Sequence, residues 1–92
     1  MKIRKKHYSI LVQGRVQGVW FRKYTQQAAK TYDLHGFVLN KPDGTVYIEA
    51  EGEETNLDLL INWLNKGSPM SEVKDVKVLE GDLVGFPDFT TR

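Results

Sequence analysis

Ninety-two residues with 40% apolar and 27% charged side chains and a net charge of +1 describe one small globular domain, taken as residues 1–92 with an ordered core from about 7 to 91. So balanced a charge gives no global field that would draw the chain to nucleic acid or to a membrane surface. The absence of cysteine excludes disulfides, thiol catalysis and thiolate-held metals.

No apolar run approaches the roughly 18 residues of a membrane span, and no hydrophobic stretch follows the charged start as a secretory signal would. A cytoplasmic protein with no membrane partner is therefore expected. Lys2, Arg4, Lys5 and Lys6 read as a solvated leading end. Tyr8, Ile10 and Val12 alternate with Ser9, Leu11 and Gln13, which predicts a strand with one better-buried face. Phe21, Tyr24, Ala28, Ala29 and Tyr32 then recur on one face of a helix. Gly36 to Leu39 forms a second strand. The Pro-Asp-Gly of "NKPDGT", residues 40–45, is a turn that joins it to a third, in which Val46, Ile48 and Ala50 alternate with Tyr47, Glu49 and Glu51. A second helix carries the stripe Leu57, Leu60, Ile61 and Leu64. Thr55 and Asp58 resemble a capping box at its start, and Lys66, Gly67 and Pro69 end it. Val73, Val76 and Val78 predict a fourth strand with an irregularity after Val73, and Phe86 to Thr91 supplies a short closing strand. The order β-α-β-β-α-β corresponds to the ferredoxin-like α/β sandwich, an antiparallel sheet with two helices on one face. That architecture does not by itself fix a function.

The chemistry concentrates in "GRVQGVWFR", residues 14–22, between the first strand and the first helix. A loop feeding a helix presents backbone N–H groups that have no partner within the helix, and glycines let such a loop curl around an anion. Gly14 and Gly18 would supply that freedom, and Arg22 on the first helical turn would direct a planar fork of donors at the same point. The lysine and the serine or threonine of a nucleotide P-loop are missing. On chemistry alone, a tolerated loop with a surface arginine explains the stretch equally well.

"LVQGRVQGVWFR" and "GFVLNKPDGTVYIEAEG" resemble, in order and spacing, the two signature segments of the acylphosphatases, and the likeness runs from Tyr8 to the fourth strand. The resemblance implies a hydrolase that splits the carboxyl–phosphate anhydride of acyl phosphates, working as a monomer on a small-molecule substrate without metal or other cofactor. It also implies that the backbone from Gln17 through Gly18, Val19 and Trp20 to Phe21 cradles the phosphate, or a sulfate standing in for it. Arg22 would grip the phosphoryl oxygens, and Asn40 would orient the attacking water.

The chain departs from the family's pattern at Trp20, where relatives often carry a smaller residue, and at Leu39, where a basic or polar side chain is common. Either change bears on substrate affinity. His7 and His35 stand without the further ligands a metal needs and are expected to be structural or solvent-facing. Arg15 reads as a plain exposed arginine and Trp63 as packing at a helix edge. Two other readings remain in view. One is a phosphate-binding module of the same fold that is inactive or handles carbamoyl phosphate. The other, more remote, is an RNA-binding domain, against which the acidic third strand with its single aromatic argues.

Overall fold

A computed structural model describes residues 4–92, so the reading of Lys2 lies outside the described residues. Seven elements follow one another: β1 (Lys5–Arg15), α1 (Phe21–Thr31), β2 (His35–Asn40), β3 (Val46–Glu53), α2 (Glu54–Lys66), β4 (Glu72–Gly81) and β5 (Phe89–Thr91). The sheet order is β4-β1-β3-β2-β5. Its first four strands are antiparallel, as expected for the ferredoxin-like sandwich. The closing strand differs: β5 pairs with β2 in parallel, so the sheet as a whole is mixed. Consecutive strands at opposite edges cannot be joined by a hairpin. The segment after β4 has to cross the sheet before β5 can pair.

Period-2 alternation sorts the sheet into two faces. Ile10, Val12, Val38, Val46, Ile48 and Ala50 are sealed on the helical side, against Ala29 of α1 and Leu57, Leu60 and Leu64 of α2. Fully burying a side chain of this size contributes about 1.5–3 kcal/mol, so this layer is what holds the domain together. β1 runs further than its alternation suggested, and its basic start is not simply solvated. Lys6 pairs with Glu54 and lies 3.3 Å from Glu80. The irregularity expected near Val73 is present as a shift of register in which Gln13 faces Asp75 but Gly14 faces Val73. Gly14 belongs to that bulge: a Cβ there would fall on the Glu72 carbonyl oxygen, and its φ of 132° suits glycine.

Two helix details differ from the sequence pattern. In α1 the buried residues are Phe21, Thr25, Ala28 and Ala29, while Tyr24 turns outward. α2 begins at Glu54 with Glu53 as its N-cap, and no side chain caps it, so Thr55 lies inside the first turn rather than before it. β3 passes into α2 with no intervening loop, and the Arg4 carbonyl accepts from the Glu54 N–H at 2.9 Å. A backbone acceptor from the chain's basic start thus takes up one of the N–H groups that the first turn of the helix leaves without an internal partner.

Candidate active site

Five residues separate β1 from α1, and both ends of this loop are anchored in the core. Val16 and Phe21 are each 1% exposed, and the Phe21 ring packs on Trp63 at 5.7 Å between centroids. Between the anchors, Gly18 and Trp20 both adopt left-handed backbone, with φ of 72° and 62°. The turn at Gly18 is free of steric cost; the one at Trp20 costs on the order of 1–3 kcal/mol. Alternation of this kind makes a concave nest of N–H groups. Among the described residues, no backbone acceptor takes the N–H of Gly18, Val19, Trp20, Phe21 or Arg22; the first donor of the helix to find one is Tyr24, bonded to the Trp20 carbonyl at 3.1 Å.

Side-chain hydrogen bonds tie the loop to the rest of the fold. The Gln17 amide Nε2 donates to the carbonyls of Lys41 at 2.8 Å and Thr45 at 2.9 Å, which ties the loop to the β2–β3 turn. Asp43 closes that turn by accepting from the Thr45 hydroxyl at 2.6 Å and its N–H at 3.0 Å. Those bonds hold the Asp43 carboxyl below its ordinary range. The Ser68 hydroxyl, past the end of α2, donates to the Val19 carbonyl at 3.2 Å. The loop carbonyls of Val19 and Trp20 are thus engaged, while its amides from Gly18 to Trp20 have no backbone acceptor among the described residues.

The same turn carries Asn40, the last residue of β2, paired in register with Val46. Its amide oxygen is buried and has no hydrogen-bond partner among the described residues. Asn40 meets Gly18 and Arg22 in one open cleft of about 640 Å³, whose walls are completed by Val16, Trp20, Phe21, Lys23, Gln26 and Thr91. Arg22 and Lys23 give this lining a positive charge, and no carboxylate side chain opposes it. One Nη of Arg22 donates to the main-chain oxygen of Arg92 at 2.9 Å, which fixes the head of a long side chain and leaves further guanidinium donors for a ligand.

Gly18, Trp20, Phe21, Arg22 and Asn40 therefore come together around the cleft, whereas Gln17 and Val19 are not in its wall. Gly14 lies within β1 and serves the bulge, not the cradle. Leu39 alternates with Asn40 along β2 and does not line the cleft. Trp20 lines the cleft with its side chain 70% exposed, beside Lys23, whose Nζ lies 5.5 Å from the ring centroid. Arg15 is exposed as expected but donates to the Met70 carbonyl at 3.2 Å. His7 is buried, with Nδ1 2.9 Å from Glu51 and Nε2 3.1 Å from Glu49, and His35 lies 3.1 Å from the Phe86 carbonyl. Sequence reasoning missed the side chains of Gln17, Lys23 and Ser68. A glutamine inside an apolar loop was a usable signal, while nothing local pointed to Ser68.

Comparison with known proteins agrees with this geometry. The acylphosphatase family model matches residues 8–91. An acylphosphatase of Bacillus licheniformis is 51% identical over 83 residues, covering 89% of this chain and 92% of its own. The crystal structure of acylphosphatase from Bacillus subtilis superposes with a TM-score of 0.93 at 42% identity, over 95% of this chain and 98% of that one. An acylphosphatase structure from Coxiella burnetii also gives 0.93, at 33% identity, covering 96% and 93%. With a family model spanning nearly the whole domain and relatives matched end to end, the chain belongs to the acylphosphatase family.

Proposed function

We propose that the protein hydrolyses acyl phosphates to a carboxylate and inorganic phosphate, with the amides from Gln17 to Phe21 and the Arg22 guanidinium binding the phosphoryl group and Asn40 holding the water. The observation that carries this reading is the Asn40 amide oxygen, buried and unpartnered in the cleft that Arg22 lines. Leaving such an oxygen without a partner costs about 1–3 kcal/mol, so the site favours a donor there, and this reading assigns that donor to the attacking water.

The reaction asks little else of the protein. The water oxygen forms a bond to phosphorus as the bond from phosphorus to the acyl oxygen breaks. The bonding pair leaves with the carboxylate, and the water's protons pass to phosphate oxygens or to solvent. A carboxylate with a solution pKa of about 4 departs without a general acid. Phosphoryl transfer is loose, with little bonding to the nucleophile, so in-line placement and charge stabilisation matter more than a strong base. Asn40 accepts a hydrogen bond from water without titrating, and Arg22 stays charged throughout. The same reading takes the protein as a cytoplasmic monomer that acts without a metal.

Benzoyl phosphate hydrolysis near neutral pH with EDTA present tests it, for wild type beside Arg22→Ala and Asn40→Ala. Arg22→Ala is expected to lose on the order of 10³-fold or more, as when an arginine finger is removed. Asn40→Ala should lose roughly 10²–10³-fold, as when one preorganised polar group is deleted. Near-normal turnover by either variant removes that residue from the mechanism, and a wild type silenced by EDTA rules out the metal-free reaction.

A further inference from the structure

Trp20 holds a φ of 62°, which a residue with a side chain adopts only at a cost. Its N–H shares one flat trans peptide unit with the Val19 carbonyl, so the two point in opposite directions. Turning this single peptide over would return the φ of Trp20 to the negative range and relieve the strain. Where the Trp20 N–H faces an anion, the same turn would put the Val19 carbonyl oxygen there instead, and that oxygen repels the anion. Some contact has to oppose the flip. Among the described residues, no backbone N–H donates to the Val19 carbonyl; its donor is the Ser68 hydroxyl, at 3.2 Å and 49 positions further along the chain.

That hydroxyl stands on a firm support. Ser68 is 4% exposed, and α2 stops just before it with Gly67, whose φ of 78° is left-handed and where a Cβ would fall on the Ser71 hydroxyl. The Ser68 carbonyl accepts from the Ser71 N–H at 3.0 Å and from its hydroxyl at 2.8 Å, which closes the turn. On the other side of Trp20, its own carbonyl is held by the Tyr24 N–H at 3.1 Å. The strained residue is thus fixed by the helix it starts and by a serine from beyond the end of the other helix. We propose that Ser68 is a positioning residue for the anion site: its hydroxyl holds the Val19–Trp20 peptide in the orientation that offers the Trp20 N–H to phosphate. This inference rests on the acyl phosphate reading above and assigns part of that site's affinity to a side chain outside the cleft wall. A chain that is flipped for part of the time binds anions more weakly in proportion to the competent fraction, while a bound anion restores the competent form. The loss therefore falls on KM and on phosphate inhibition, not on kcat.

The experiment measures kcat and KM for benzoyl phosphate and the inhibition constant of inorganic phosphate in wild type, Ser68→Ala, Trp20→Gly and the double variant. Amide spectra of 15N-labelled wild type and Ser68→Ala are titrated with inorganic phosphate alongside. Ser68→Ala is expected to raise KM and the phosphate constant together by about three- to tenfold, the scale of one net hydrogen bond, with kcat within about twofold of wild type. Glycine adopts either sign of φ readily, so in Trp20→Gly the drive to flip is smaller and adding Ser68→Ala should raise both constants by less than about twofold. The Trp20 amide of wild type should shift as phosphate saturates the site, and in Ser68→Ala that shift should need correspondingly more phosphate. A wild-type Trp20 amide that stays put while those of Gly18 and Phe21 move overturns the role of this peptide, with no variant needed. A Ser68→Ala protein that keeps wild-type phosphate affinity overturns it too, as does an effect of Ser68→Ala that is undiminished in Trp20→Gly. If no cradle amide responds to phosphate and benzoyl phosphate is not hydrolysed, the acyl phosphate reading falls and this inference with it.

Discussion

At the scale of single residues, Arg22 raises the question of charge against shape. Its guanidinium spends one donor on the main-chain oxygen of Arg92 at 2.9 Å, and the remaining donors keep a fixed planar arrangement. A lysine keeps the positive charge but cannot hold that oxygen and present a fork to phosphate at once. Arg22→Lys is therefore expected to lose about 10²-fold in kcat/KM, less than Arg22→Ala, while still being inhibited by inorganic phosphate more strongly than the alanine variant. Steady-state rates and phosphate inhibition constants for the two variants check this; equal losses would mean that the fork is everything and the charge nothing. That Arg22 and Asn40 would meet at one cleft was legible in the sequence, because each sits in a segment whose order and spacing match a known pattern. The left-handed backbone of Trp20 was not, since a positive φ is read from glycine or asparagine and not from tryptophan.

Between elements, the junction that matters is the one linking the β1–α1 loop to the β2–β3 turn, because it sets Arg22 against Asn40. Gln17 makes it with two hydrogen bonds, to residues 24 and 28 positions further along the chain. Gln17→Ala removes one of two donors from each of these carbonyls, which keep the N–H groups of Gly44 and Lys41, and is expected to destabilise the fold by about 1 kcal/mol. It should also cost about tenfold in kcat/KM, given that a misplacement near 1 Å can cost on the order of 10²-fold. Urea melts and kinetics on the same preparation check both, and wild-type kcat/KM in a destabilised variant would show that the loop keeps its place without the clamp. The helices and the first four strands were readable from periodicity, and even the bulge showed in the spacing of Val73, Val76 and Val78. What periodicity cannot carry is a contact between distant segments. That is why the clamp, the Arg4 carbonyl on α2 and the parallel pairing of β5 appear only in the fold.

For the whole molecule, the route of the chain from β4 to β5 decides how one sheet face is covered. Residues 82–88 cross the face away from the helices, where Phe86 meets the rings of His7 at 6.0 Å and Phe37 at 5.7 Å. Glu51, 7% exposed, fastens this crossing: its carboxylate accepts from the N–H groups of Val84, of Gly85 at 2.8 Å and of Phe86 at 3.3 Å, and lies 2.9 Å from His7. Burial alone would push the Glu51 carboxyl up, but the backbone donors of Val84, Gly85 and Phe86 together with His7 outweigh it and hold it below the ordinary 4.5. A carboxyl whose pKa is depressed by folding adds stability that is complete above its unfolded pKa and fades as pH falls through the folded value. The domain should therefore weaken as the pH drops below about 4.5, and Glu51 should account for a distinct part of that loss. Glu51→Gln keeps an acceptor oxygen but not the charge, so it is expected to be about 1–3 kcal/mol less stable than wild type at pH 7. The gap should narrow as the pH falls through the folded-state pKa of Glu51, where the wild-type carboxyl becomes neutral too. The carboxyls of Asp43 and Glu54 are also depressed, by hydrogen bonds from Thr45 and Lys6 respectively, but both proteins share them and they cancel in the difference. Urea unfolding of the pair from pH 7 down to pH 3 makes the comparison. Converging curves assign the fastening of the crossing to the charge on Glu51, and parallel curves assign it to the aromatic contacts of Phe86.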